Sequence, residues 1–415
     1  MNKVKLGTLG KFKNGLNFSA EKVSSGCKII GIPDFQNNYL APLNGLGEIS
    51  RDIVSDDYLL KDNDILFVRS NGNKALVGRT MLVVGLKSPT TFSGFCIRFR
   101  PYLDKVDPLY MLYLFKSPAF RKHFSKTQQT SINNLNQDVL GQIEIDLPDL
   151  DEQKRISSSI HCLTQKIDVN ERINDNLWQA ISTIYDYWFT QFDFPNAYGK
   201  PYRTSAGELV WNDKIKRAIP SGWTVTSIIS NPLTQVIKPG VDVFETKEYL
   251  ATTEVTGTSI ASGSTVDYEN REGRANMQPV VNSVWFAKMK NSIKHLFLNK
   301  EMAPIIDSTI LSTGFCGLQC SEKSFEYVAS FVSNPRFEII KDILAHGATQ
   351  EAVNNDDMES IAFVIPSDEI LEQYHAATKG MFAQISKNIC ENRELIKVRD
   401  WLLPMLMNGQ ATIAD

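Results

Sequence analysis

Two long stretches of this chain carry a 3-4 apolar rhythm. Each is entered through a proline, and the two prolines, Pro148 and Pro366, lie 218 residues apart, in GQIEIDLPDLDEQ and ESIAFVIPSDEILEQ. The first stretch has no Pro or Gly before Pro195, and its seam takes Ile156, Ile160, Leu163, Ile167, Leu177, Ile181, Ile184 and Trp188. Shifted by 218, the seam falls on Tyr374, Thr378, Met381, Ile385, Leu395, Arg399, Leu402 and Leu406, a rougher copy. Asparagines sit at the same seam positions in both, Asn170 and Asn174 against Asn388 and Asn392. The prolines alone set that register, so the matching asparagines are independent support for an internal repeat.

The rhythm predicts two helices of roughly 37 residues, each about 55 Å long at 1.5 Å per residue. An apolar seam on a lone helix faces water, so each helix needs a partner, and the other copy is at hand. Antiparallel packing is expected, because each helix emerges from a globular segment. Asn170 and Asn174 would then meet Asn388 and Asn392, and buried, paired asparagines fix register. The other reading has them lean to solvent at a helix crossing. The fold class expected is mixed α/β: two globular domains joined by two long helices packed as an antiparallel coiled coil, with a pseudo-twofold internal repeat.

The organisation follows: a domain over 1–150, a helix over 151–190, a linker over 191–204, a second domain over 205–367, a second helix over 368–408 and a tail over 409–415. The linker region is punctuated by Pro and Gly, as expected between units. Its flanking Trp211 and Trp223 are expected to pin it to its neighbours. A shorter echo, SINNL at Ser131–Leu135 and AVNND at Ala352–Asp356, repeats a β-branched residue before Asn-Asn, 221 positions apart.

The net charge of −3 is unevenly spread. Residues 1–148 carry 19 Lys/Arg against 13 Asp/Glu, residues 271–300 have a net charge of +5, and residues 351–370 a net charge of −6. Phosphate contact needs a local positive surface rather than a basic chain, so this permits DNA binding. No apolar run is long enough to span a membrane, and the N-terminus carries no signal-peptide core. Six cysteines in 415 residues are too few for a disulfide framework, so a cytoplasmic location is expected.

Each domain holds an apolar strand that ends in a basic residue: DILFVRS with Arg69, and NSVWFAKMKN with Lys288 and Lys290. The loop after the first offers Asn71, Lys74 and Arg79. Before the second, NREGRANMQPVV offers Arg271, Arg274, Asn276 and Gln278. Arginine suits the O6/N7 edge of guanine, and Asn or Gln the N6/N7 edge of adenine, because their planar groups match those edges. These ten residues are the candidate DNA contacts, although any one exposed Arg could serve solubility alone.

Catalytic apparatus is missing from the pattern. Five histidines (His123, His161, His295, His346, His375) join no metal-protease, Ser-hydrolase or nucleotide-binding motif. Cys316 and Cys320 lack a second Cys/His pair at zinc spacing, and Asn231-Pro232-Leu233 lacks the second proline and ring of an amine-methylating motif. No catalytic residue and no metal ligand is assigned; the chain reads as a recogniser and not an enzyme.

The whole pattern resembles the type I restriction-modification specificity subunits. KIDVNERINDNL and YDYWFTQFDFP, within 166–195, resemble the family's first conserved region. GELVWNDKIKRAIPSGW at 207–223 resembles the run-in to the second recognition domain, REGRANMQPVVNSVWFAKMKN at 271–291 a recognition-domain signature, and NRELIKVRDWLLPMLMNGQ at 392–410 the end of the second conserved helix. The resemblance implies two target-recognition domains, each reading half of a bipartite site in double-stranded DNA. It also implies helices that fix the spacer and dock two modification subunits. Those subunits would hold S-adenosylmethionine, and restriction subunits in the full complex would use ATP and Mg2+; this chain would bind no cofactor itself. Trp178, Tyr187 and Trp401 are candidate docking points, or else pack within the helices and against the adjacent domain. The alternative function is a two-headed coiled-coil scaffold without sequence-specific DNA binding, which leaves the paired basic strand ends without a purpose.

Overall fold

The structure is a computed structural model and describes residues 2–18, 26–36, 38–73, 76–126, 135–347 and 351–411. Lys74, residues 131–134 of the SINNL run and residues 412–415 of the tail lie outside the described residues. The chain is mixed α/β, with two sheet-bearing units and two long helices. One unit comprises residues 1–165 with 396–415, the other residues 166–395, so the division cuts across both long helices.

The helices start where local chemistry allows. The first, Leu150–Tyr185, follows Pro148-Asp149, and the Asp149 carboxylate accepts the Glu152 N–H at 2.9 Å. Asp151 and Glu152 fill its first turn, as Asp368 and Glu369 do in the second helix, Asp368–Met407, where they complement the helix dipole. The first helix closes in a π-helical turn, Asp186–Thr190. The second contains Gly380 and, one turn from its end, Pro404.

In the first unit an antiparallel sheet orders Gly10–Asn14, Cys96–Pro101, Ile65–Val68 and Thr80–Leu82. A second sheet places Gly26–Ile30 between Gly47–Ser50 and Thr90–Phe92, pairing parallel with the latter. Asn2–Lys5 pairs with Glu144–Leu147. Helices Pro108–Lys116 and Pro118–Lys126 complete it, and Ile156 and Ile160 of the first long helix share a core with Leu403, Leu406 and Met407 of the second. Each such aliphatic side chain contributes about 1.5–3 kcal/mol on full burial.

The second unit repeats this order. Its antiparallel sheet runs Thr234–Val236, Phe315–Cys320, Ser283–Ala287 and His295–Leu298. Its other sheet pairs Lys247–Leu250 parallel with Thr309–Ser312, flanked by Ser264–Val266 and Ala275–Met277. Thr224–Ser227 pairs with Ala362–Ile365, and helices Phe325–Ser333 and Pro335–Leu344 follow. Trp285 lies across Gly317, where an added Cβ would sit 2.4 Å from the indole ring, so the strand pair needs glycine there.

Within this unit the two long helices run antiparallel. Asn170, 1% exposed, donates to Asn392 Oδ1 at 2.8 Å and to Glu391 Oε2 at 2.7 Å. Four residues on in one helix and four back in the other, Asn388 donates to Asn174 Oδ1 at 2.8 Å. At the linker Trp223 stacks on Phe194 at 5.1 Å and meets Phe192 edge-on at 5.7 Å, whereas Trp211 is 60% exposed, its indole N–H donating to Asp213 Oδ1 at 3.1 Å.

The repeat also corrects the register of the short echo. Leu135 donates its N–H to Arg69 O at 2.8 Å, and Val353 donates to Lys288 O at 3.0 Å. The residues that follow, Asn136 and Asn354, each cap a short helix, Gln137–Gln142 and Asn355–Glu359. Leu135-Asn136 therefore corresponds to Val353-Asn354, at the same 218-residue offset as the prolines. The 221-residue reading matched letters three positions out of step with the hydrogen bonds.

Candidate nucleic-acid interface

In the first unit strand Ile65–Val68 is wholly buried, and its last N–H bonds tie it to Arg79 O. Arg69 emerges beyond it, half-buried, its N–H on Phe95 O at 2.7 Å and its guanidinium 3.4 Å from Gly94 O. Asn71 folds the following loop by accepting the Asn73 N–H at 2.8 Å. Arg79 ends that loop and donates to Gln36 O at 2.5 Å. Phe95, on the turn that holds Arg69, is 59% exposed, a position sequence reasoning missed. A Phe between two apolar strands in TTFSGFCIRF reads as core by type, and only the Ser-Gly beside it signals a turn.

A second basic group surrounds Tyr39. Lys116 Nζ stands 4.3 Å from the ring centroid and donates to Asn38 O at 3.0 Å, while the Arg399 guanidinium stands 5.6 Å from the same ring. Burial, and then the neighbouring guanidiniums of Arg121, Arg79 and Arg399, push Lys116 down to about 8. The positive balance of residues 1–148 is thus partly concentrated at one place.

The second unit builds its strand end the same way. Lys288 follows the buried strand Ser283–Ala287, its N–H on Gly314 O at 3.0 Å. The same turn reaches Arg274, because Thr313 donates to Arg274 O at 2.8 Å. Lys288 and the exposed Arg274 are therefore brought to one turn. Lys290 is paired with Glu351 at 2.8 Å, which partly neutralises it. Arg271 lies over the Tyr268 ring at 4.0 Å and donates to Tyr268 O. Asn276 is half-buried on its strand, its carbonyl accepting the Gly240 N–H, and Gln278 turns back on its own chain toward Pro279 O at 3.3 Å.

Of the docking candidates, Trp178 lies between Phe297 at 5.2 Å and Phe382 at 5.3 Å, its indole nitrogen buried and unbonded. Tyr187 is 39% exposed and Trp401 64%, with Val398 exposed one turn before Trp401. Cys316 and Cys320 are buried in the core of the second unit, and burial pushes the Cys316 thiol up to about 12. Among the described residues no three His, Cys, Asp or Glu side chains are grouped to hold a metal, and no helix is long and apolar enough to cross a membrane.

Residues 1–179 match the family described as the type I restriction modification DNA specificity domain. The chain is 23% identical over 337 residues to the type I restriction enzyme MjaIX specificity subunit of Methanocaldococcus jannaschii, covering 75% of this chain and 71% of that protein. It is 22% identical over 415 residues to the putative type I restriction enzyme MjaX specificity subunit of the same organism, covering 97% and 91%. Among solved structures, a type I restriction-modification system S subunit from M. genitalium shares the fold. The TM-score is 0.50 at 12% identity, over 98% of this chain and 95% of that one.

Proposed function

We propose a function from one premise: the chain belongs to the type I restriction-modification DNA specificity subunits. Members of that family are specificity proteins and not enzymes. Within it, two recognition domains, residues 1–150 in the first unit and residues 205–367 in the second, each read one half of a bipartite site in duplex DNA. The two long helices fix the unread spacer and dock two modification subunits, with Trp401 and Tyr187 available on exposed faces. S-adenosylmethionine belongs to the modification subunits, and ATP with Mg2+ to the restriction subunits of the full complex.

The observation that carries this reading is the repeated basic strand end. Arg69 and Lys288 occupy equivalent places, each held through its N–H by the turn before the neighbouring strand and through its carbonyl by Leu135 or Val353. Such a residue is fixed in its backbone, while its long cationic side chain leaves a sheet whose strands are buried. Base edges demand that combination, since positioned donors specify and diffuse charge supplies affinity alone. Around them Asn71, Arg79 and Phe95 in the first unit, and Arg271, Arg274, Asn276, Gln278 and Lys290 in the second, are the further candidate contacts.

Binding of the complex with its modification subunit to a randomised duplex library tests the assignment. Arg69→Ala is expected to relax one half-site and Lys288→Ala the other, each by about 1–3 kcal/mol at the affected position. Relaxation of the same half-site by both, or a uniform weakening across all sequences, would remove the one-unit, one-half-site assignment.

A further inference from the structure

The second unit contains a buried ionic cluster that recognition, as read above, does not use. His295, Glu338 and Lys341 are 4%, 5% and 0% exposed. Glu338 Oε1 stands 2.8 Å from His295 Nε2, and its Oε2 2.6 Å from Lys341 Nζ. The Lys341 ammonium then donates to Ala287 O at 3.2 Å and Ser292 O at 3.1 Å. Its three N–H bonds are all engaged, as an ammonium buried this deeply requires.

The position of those carbonyls is informative. Ala287 and Ser292 flank the turn Lys288–Asn291, which carries both basic candidates, Lys288 and Lys290. The next residue of the same helix joins in: Asp342 Oδ1 accepts the N–H of Asn291, whose φ is +54°, at 3.1 Å. Helix Pro335–Leu344 thus holds the turn from inside through Lys341 and from its rim through Asp342. A buried ion pair is a poor device for stability alone, because well-packed apolar side chains would serve as well. In the first unit the same helix position does use an apolar side chain. Phe124, six residues after Pro118 as Lys341 is after Pro335, packs on Gly78, where an added Cβ would meet its ring at 2.4 Å.

We infer that Lys341, held by Glu338 and His295, and its neighbour Asp342 are positioning residues for DNA recognition: together they set the conformation of the turn Lys288–Asn291 and thereby which base or phosphate Lys288 and Lys290 meet. The inference rests on the reading that the second unit recognises a half-site. It acts through the turn and requires no contact between Lys341 and DNA. Apolar anchoring in one unit and ionic anchoring in the other give the two readers different turns on one scaffold.

The test uses the full chain assembled with its modification subunit. Affinity is measured for duplexes with both half-sites intact, with the first mismatched and with the second mismatched. Lys288→Ala identifies which half-site the second unit reads. Lys341→Met and Asp342→Ala are then compared with wild type. Because Lys341→Met leaves a buried carboxylate and can fail to fold, Asp342→Ala, at a partly exposed site, decides the matter alone in that case. Both are expected to lower discrimination at the half-site marked by Lys288→Ala by about tenfold, with discrimination at the other half-site within about twofold of wild type. Equal losses at both half-sites, or wild-type discrimination in folded variants, would overturn the positioning role while leaving the two-reader function standing. A wild-type complex that discriminates at neither half-site would instead overturn the reading on which the inference rests.

Discussion

Lys116 shows what the first unit has gathered around Tyr39: an ammonium largely out of water with three guanidiniums near it. Folding lowers its affinity for a proton to about 8, from the ordinary 10.5. The unfolded chain therefore holds that proton more tightly, and the first unit gains stability as pH rises from about 8 toward 10.5. Urea unfolding of wild type and Lys116→Met at about pH 7.5 and 9.5 measures this. The wild type is expected to gain on the order of 1–2 kcal/mol more than the variant over that interval. Equal gains would show that the ammonium stays solvated in the folded chain. Such a cluster was not legible in the sequence, because Arg79, the Lys116–Arg121 stretch and Arg399 come from three widely separated segments. The strand-end positions of Arg69 and Lys288 were legible, since each is the basic residue that closes an apolar run. Phe95 was not, because residue type alone assigns a phenylalanine to the core.

The long helices were the most readable elements, with a 3.6-residue period sustained over ten seam positions and a proline and acidic first turn at each start. The strands were harder, since Ile65–Val68 and Ser283–Ala287 are buried on both faces and show no alternation. Their order was not readable at all, because Gly10–Asn14 finds its partner Cys96–Pro101 across the whole first unit. The seam asparagines allow an element-scale prediction. Asn170→Ala leaves the buried Asn392 Oδ1 short of a donor and is expected to cost about 1–3 kcal/mol in thermal or urea unfolding. The pair Asn170→Leu with Asn392→Leu removes donor and acceptor together and is expected to be close to neutral. An additive loss in the double variant would mean that the two asparagines do not act as a pair.

For the whole molecule, the proposed function has the two long helices set the spacing and the two units set the sequence. Matched insertions of four residues in both helices, about one turn, are expected to change the spacer between half-sites while leaving both half-sites unaltered. An altered half-site in such a variant would contradict the division of labour. Whether this chain alone directs its complex to a two-part sequence is decided by mapping methylated adenine. The comparison is between genomes of cells that express the chain with its modification subunit and of cells that lack only this chain. A new methylated adenine within a bipartite motif of one fixed spacer is expected, present only when the chain is expressed. A stable complex with the modification subunit and no new motif would contradict it and favour the scaffold.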